Sequence, residues 1–206
     1  MPRFLVQIAR RVLCASVVCL VLSRGIALAG TVFLFDFEAD LGQQTPFTSI
    51  SNGVSATFSS PADPSGFFVL PTSSLFSTLT GNALFQVFPS DQTLGILFNR
   101  DIQYVQLVFG STTIGQLTLT ASDQNLIQVG QTSATSNFLP GGANPEGSIS
   151  FGGTAFRSLT LRFASSDQTG TFAIDNVTDV PEPTLTLLFG LGALTLGSAC
   201  KLRSRS

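Results

Sequence analysis

From Thr31 to Thr178, short runs rich in Phe, Val, Leu and Ile alternate with clusters of Gly, Ser, Asn, Asp and Pro. No window holds a helical apolar period over helical length. The clearest segments repeat every second residue. Leu117 and Leu119 alternate with Gln116, Thr118 and Thr120, while Leu159, Leu161 and Phe163 alternate with Ser158, Thr160 and Arg162. Each therefore offers one face to a core and the other to water. Further strands are predicted over 32–37, 54–59, 66–69, 83–88, 94–98, 102–109, 125–129, 148–151 and 171–178. The run 102–109 is apolar on both parities and belongs in the middle of a sheet. Prolines and glycines exclude 61–66 and 139–147 from central strands and mark them as loops. Short strands at this spacing predict an all-β fold, an antiparallel β-sandwich of jelly-roll type, spanning 30–179.

The two ends follow different patterns. Arg3, Arg10 and Arg11 precede an uncharged apolar run over 12–22, and Ala27, Leu28 and Ala29 stand just before Gly30. This is the pattern of a signal peptide over 1–29, cleaved between Ala29 and Gly30, which implies the Sec export machinery as a first partner. The run is about half of the ~20 residues that span a bilayer. At the other end, Val180, Pro181, Glu182 and Pro183 precede an uncharged stretch over 184–200, and Lys201, Arg203 and Arg205 close the chain in a basic tail over 201–206. At ~1.5 Å per residue the stretch makes a helix of about 25 Å, slightly short of a hydrocarbon core of ~30 Å. A single transmembrane helix with a marginal hold is predicted, its basic tail cytoplasmic and the rest of the chain outside.

The order of Pro181-Glu182-Pro183, a Leu/Gly-rich stretch (Leu187-Leu188-Phe189-Gly190-Leu191-Gly192) and a basic terminus resembles the PEP-CTERM protein-sorting signal of Gram-negative bacteria. The resemblance covers the last 27 residues, and Leu202 and Ser204 interrupt what is commonly a denser arginine run. It implies a temporary membrane tether recognised by an exosortase, which cuts near the motif and releases or relocates the exported protein. It also implies a place at the cell surface or in the extracellular matrix, with a structural or adhesive role in exopolysaccharide and biofilm.

Charge and composition narrow the chemistry. Between Gly30 and Val180 there are eleven acidic residues and three arginines, 3 − 11 = −8, so a nucleic-acid partner is not expected. The chain has no His, its only Lys is Lys201, and Cys14, Cys19 and Cys200 lie outside the middle segment. That removes His-based triads, thiol nucleophiles, Schiff-base lysines and His or Cys metal sites, and no enzyme is expected. Glu146 falls in the loop read over 139–147, a poor place for a fixed catalytic carboxylate.

Asp36 and Glu38 open the middle segment and Asp175 closes it. If the first and last strands are neighbours, these carboxylates meet and suit calcium, a hard cation that takes oxygen ligands. The pairing of an opening Phe37-Glu38 with a closing Ile174-Asp175-Asn176-Val177 also resembles the ends of jelly-roll carbohydrate-binding modules, in which such acids hold a structural calcium. The alternative is that Asp36 and Asp175 are solvated strand residues. Asp175 has the opposite parity to Phe172 and Ile174, which favours exposure unless a bulge re-aims it. Sugar platforms usually stack rings on Trp or Tyr, and this segment has no Trp and only Tyr104. What remains is weak binding of single glycan chains through Asn, Gln and Asp.

Overall fold

Period-two patterning produces eleven strands, all paired antiparallel, and no α-helix among the described residues. The structure is a computed structural model that describes residues 32–61, 63–72, 75–87, 93–166 and 170–179. The signal-peptide residues Ala27, Ala29 and Gly30, the motif Val180, Pro181, Glu182 and Pro183, and the tail Lys201, Arg203 and Arg205 lie outside the described residues. The strands are β1 (Leu34–Phe35), β2 (Phe47–Ser51), β3 (Val54–Ser59), β4 (Phe67–Pro71), β5 (Asn82–Gln86), β6 (Thr93–Ser111), β7 (Gly115–Ser122), β8 (Gln128–Thr135), β9 (Asn137–Phe138), β10 (Pro145–Ser165) and β11 (Phe172–Thr178).

The all-β antiparallel expectation is met, but the strands form one continuous sheet. The cause is two long strands. The segments predicted at 94–98 and 102–109 run together as β6, and those at 148–151 and 159–163 run together as β10. The first part of β6 pairs with β3 and with the last part of β10, whereas its second part pairs with β11 and the first part of β10. Register shifts between Gly152 and Ser158 mark where β10 is irregular, and such shifts bend a sheet. Both halves turn their apolar side chains to a single core. Phe163 of β10 stacks on Phe172 of β11 at 5.7 Å, and Phe98 of β6 lies 5.6 Å from Phe33.

Three boundaries differ from the sequence reading. Pro145 opens β10, so 145–147 is strand rather than loop; the first position of a strand tolerates the missing N–H of proline. β8 begins at Gln128, after a turn in which the Asp123 carboxylate accepts from the N–H groups of Asn125 and Ile127. β2 carries only Phe47 and Ile50 as apolar residues, too few to stand out, and is held by its pairing with β3.

Candidate functional site

The half of the sheet built from β5, β11, the second part of β6 and the first part of β10 has a covered outer face. Residues 75–81 of the β4–β5 connection fold back across it as a strap. Its base is closed by Thr72, whose N–H and hydroxyl both donate to the carbonyl of Gly81, at 2.8 and 3.0 Å. Leu79 is buried in a small cluster with Ala83 and Ala173. The ring of Phe76 lies on the backbone of Gly110, where an added Cβ would stand 2.3 Å from it, so glycine is required there by close approach.

Carboxylates tie this strap down. Glu146 is the second residue of β10 and is buried. Its Oε1 accepts from the N–H of Ser77 at 2.6 Å and the hydroxyl of Ser77 at 2.8 Å. Its Oε2 accepts from the N–H of Thr78 at 2.6 Å and from the Thr78 hydroxyl. Burial alone raises the Glu146 pKa, but these four donors outweigh it and hold the group below its ordinary value. The sequence reading of Glu146 as a loosely placed loop residue is therefore corrected. The missed signal was long-range: Ser77 and Thr78 lie 69 and 68 residues away along the chain.

Further along the strap, Asp175 takes over. β1 pairs with β11, Leu34 opposite Thr178 and Phe35 opposite Val177, so the first and last strands are neighbours, as the sequence reading required. A register shift follows Asp175 in its pairing with β6, and Asn176 has φ 51. Phe172, Ile174 and Val177 join the main core, while Ala173 and Asp175 are buried as well. Asp175 is thus not the solvated strand residue of the alternative reading. The strap covers it, with the N–H of Thr80 donating to Oδ2 at 3.3 Å and the N–H of Asn176 to Oδ1 at 2.6 Å.

Glu38 accepts from the N–H of Asn82 at 3.0 Å. It lies over Gly81, at which φ is 69 and an added Cβ would fall 1.6 Å from Glu38 Oε1. Asp36 is half-buried, and its Oδ1 accepts from the N–H of Glu38. Burial pushes the Asp175 pKa up to about 6; the N–H groups of Asn176 and Thr80 work against this, and the charges of Asp36 and Glu38 add to it. Asp36 and Glu38 therefore both lie near enough to act on Asp175. Their atom types suit calcium, yet the oxygens of Asp175 and Glu38 face amide donors. Among the described residues no group of three or more Asp, Glu, Cys or His side chains gathers in metal-ligating geometry.

The other half of the sheet has an open outer face. Ser55 and Thr57 of β3, Leu97 and Asn99 of β6 and Thr118 and Thr120 of β7 point outward there, on strands whose intervening residues are buried. Two hollows of about 330 and 180 Å³ share Leu97 and Arg157 as walls. The larger reaches the β7–β8 turn at 123–126, and the smaller reaches Ser55, Thr57 and Asn99. Arg157 sits at the β10 register shift; its Nε donates to the carbonyl of Phe98 at 3.4 Å and its Nη2 to that of Asn99 at 2.8 Å. Tyr104, the one candidate aromatic platform, lies elsewhere, half-buried against Gly152.

No protein-family model matches the chain, and no curated protein matches it. Among solved structures it is similar to the K2 cleaved adhesin domain of Lys-gingipain, at 13% identity and a TM-score of 0.47, over 74% of this chain and 99% of that one. It is also similar to a mutant family 29 carbohydrate-binding module, at 6% identity and a TM-score of 0.38, over 73% of this chain and 92% of that one. A likeness to the Agl-KA catalytic domain has 12% identity and a TM-score of 0.34, over 69% of this chain and 28% of that one.

Proposed function

We propose that this chain is a non-catalytic exported protein of the cell surface or extracellular matrix, with a structural or adhesive role in exopolysaccharide and biofilm. It is exported by the Sec machinery and sorted by an exosortase through the PEP-CTERM-like segment. The observation that carries this is the order of blocks along the chain: basic and apolar, then a His-free, Cys-free β domain, then Pro181-Glu182-Pro183, apolar and basic. The buried acids support the non-catalytic part. Glu146 has both oxygens on strap donors, and Asp175 is only 1% exposed, so neither faces a substrate.

The test is the intact mass of the protein recovered from the surface and medium of its producing cells. The expected mass starts at Gly30 and ends near Pro181-Glu182-Pro183. A released form that still carries 184–206 overturns the sorting reading.

A second reading is a carbohydrate-binding module of jelly-roll type with a structural calcium at Asp36, Glu38 and Asp175. It is favoured by one observation, the repulsion of Asp36 and Glu38 on Asp175, which a divalent cation relieves. On this reading calcium raises the melting temperature of the full chain, and Asp175→Asn removes the rise. A melting curve indifferent to calcium overturns it.

A further inference from the structure

We propose that the groove centred on Arg157 and Leu97 binds an extended glycan chain through a sugar carboxylate, making a uronate-bearing polysaccharide the ligand of the open face. This deepens the polysaccharide-associated role proposed above and rests on it. The groove is open and continuous across Leu97, which suits a chain running over the sheet rather than an enclosed small molecule.

The argument starts from the guanidinium. Arg157 is half-buried, and its Nε and Nη2 are held by two successive carbonyls of β6, those of Phe98 and Asn99. An arginine has five N–H donors in a planar fork. The edge formed by Nη1 and the second hydrogen of Nη2 remains, and among the described residues no carboxylate forms an ion pair with Arg157. An acid-rich segment thus holds a fixed cation on its open face that no carboxylate among the described residues pairs. The free edge matches the two oxygens of a carboxylate, and that bidentate pairing is the strong, directional use of arginine.

The rest of the groove suits a sugar. Asp123, on the wall of the larger hollow, has its Oδ1 held by the N–H groups of Asn125 and Ile127 and its Oδ2 by the Asn125 amide, so it is turned into its own turn. Gln124 and Asn125 are exposed on that turn and offer amides to sugar hydroxyls. Leu97 and Leu126, 52% and 77% exposed, offer apolar surface to the C–H face of a ring in place of the missing Trp and Tyr. Leu126 is held outward by a positive φ of 63. The charge of −8 carried by residues 30–180 opposes an anionic polymer at long range. At physiological salt that repulsion is screened beyond about 8 Å, whereas the contact with Arg157 is not.

The experiment applies the full chain, in mild detergent, to an array carrying neutral, uronate-bearing and sulfated glycans. Binding is expected on uronate-bearing glycans, weakened at least about tenfold in Arg157→Ala. Because Arg157 also holds two β6 carbonyls, Leu97→Asp serves as a second variant: it leaves those bonds in place and sets a competing carboxylate beside the guanidinium. It too is expected to weaken binding about tenfold. Equal binding of neutral and uronate glycans, or a preference for sulfated ones, overturns the carboxylate assignment. Uronate binding that survives both variants overturns the groove while leaving the polysaccharide role intact. Binding to no glycan overturns that role and this proposal with it.

Discussion

The two outer faces of this sheet use charge in opposite ways. Over β11, β6 and β10 the strap at 75–81 covers the face; Glu146 and Asp175 turn their oxygens onto its backbone N–H groups, and Glu38 onto that of Asn82, where β5 begins. On the other half Arg157 is fixed by backbone carbonyls and keeps donors in reserve. A buried carboxylate surrounded by amides is a structural clasp, because its desolvation is offset only while the donors stay in place. A cation anchored at an open groove is the arrangement expected of a binding face. The lesson is that the number of acids says little here; what each one touches separates clasp from site.

The comparison is broken most severely from the core that both halves share. Phe172 is 2% exposed, stacks on Phe163 and meets Phe67 edge-on at 5.4 Å. Phe172→Ala is expected to cost about 3 to 5 kcal/mol, read by denaturant unfolding. Strap and groove should be lost in one transition; two separated transitions contradict a shared core. Next comes Glu146→Ala, which strands four donors of the strap. A loss of about 2 to 3 kcal/mol is expected, with chymotrypsin gaining access at Phe76 and glycan affinity unchanged. Weakened glycan binding in this variant would show that the two faces are coupled.

The two clasps also differ in sign with pH. Glu146 is held below its ordinary value of 4.5, so its contribution is present above that value and is lost as the pH falls through its lowered folded-state value. Asp175 is raised from 3.8 to about 6, so its contribution is complete below 3.8 and is lost as the pH rises through 6. The melting temperature is therefore expected to fall between about pH 4.5 and about pH 6.5, and Asp175→Asn should flatten that interval. The smallest effect on stability belongs to Leu97→Asp. An exposed strand position should shift unfolding by about 0.5 kcal/mol or less, in contrast to its expected effect on glycan binding.

Much of the fold was legible because the two-residue alternation is local. β3, β7 and the second part of β10 follow directly from apolar residues at every second position. The union of predicted segments into β6 and β10 was not legible, since Asn99, Arg100 and Asp101 read as a break although the ladder runs through them. At the site, the sequence reading turned on the first and last strands being neighbours, and β1 does pair with β11. The burial of Asp175 was not foreseen, because it depends on a strap more than ninety residues away. For the same reason Glu146 was read as a loosely placed loop residue and Arg157 escaped notice. Their partners lie 69 and 59 residues distant, and no local pattern marks them.

The central claim is that the open face binds and the covered face holds. Hydrogen exchange of the full chain, with and without a uronate-bearing glycan selected on the array, tests it most directly. The account predicts added protection at 97–99 and 123–127, with 75–82 unchanged. Protection concentrated on 75–82 would contradict it.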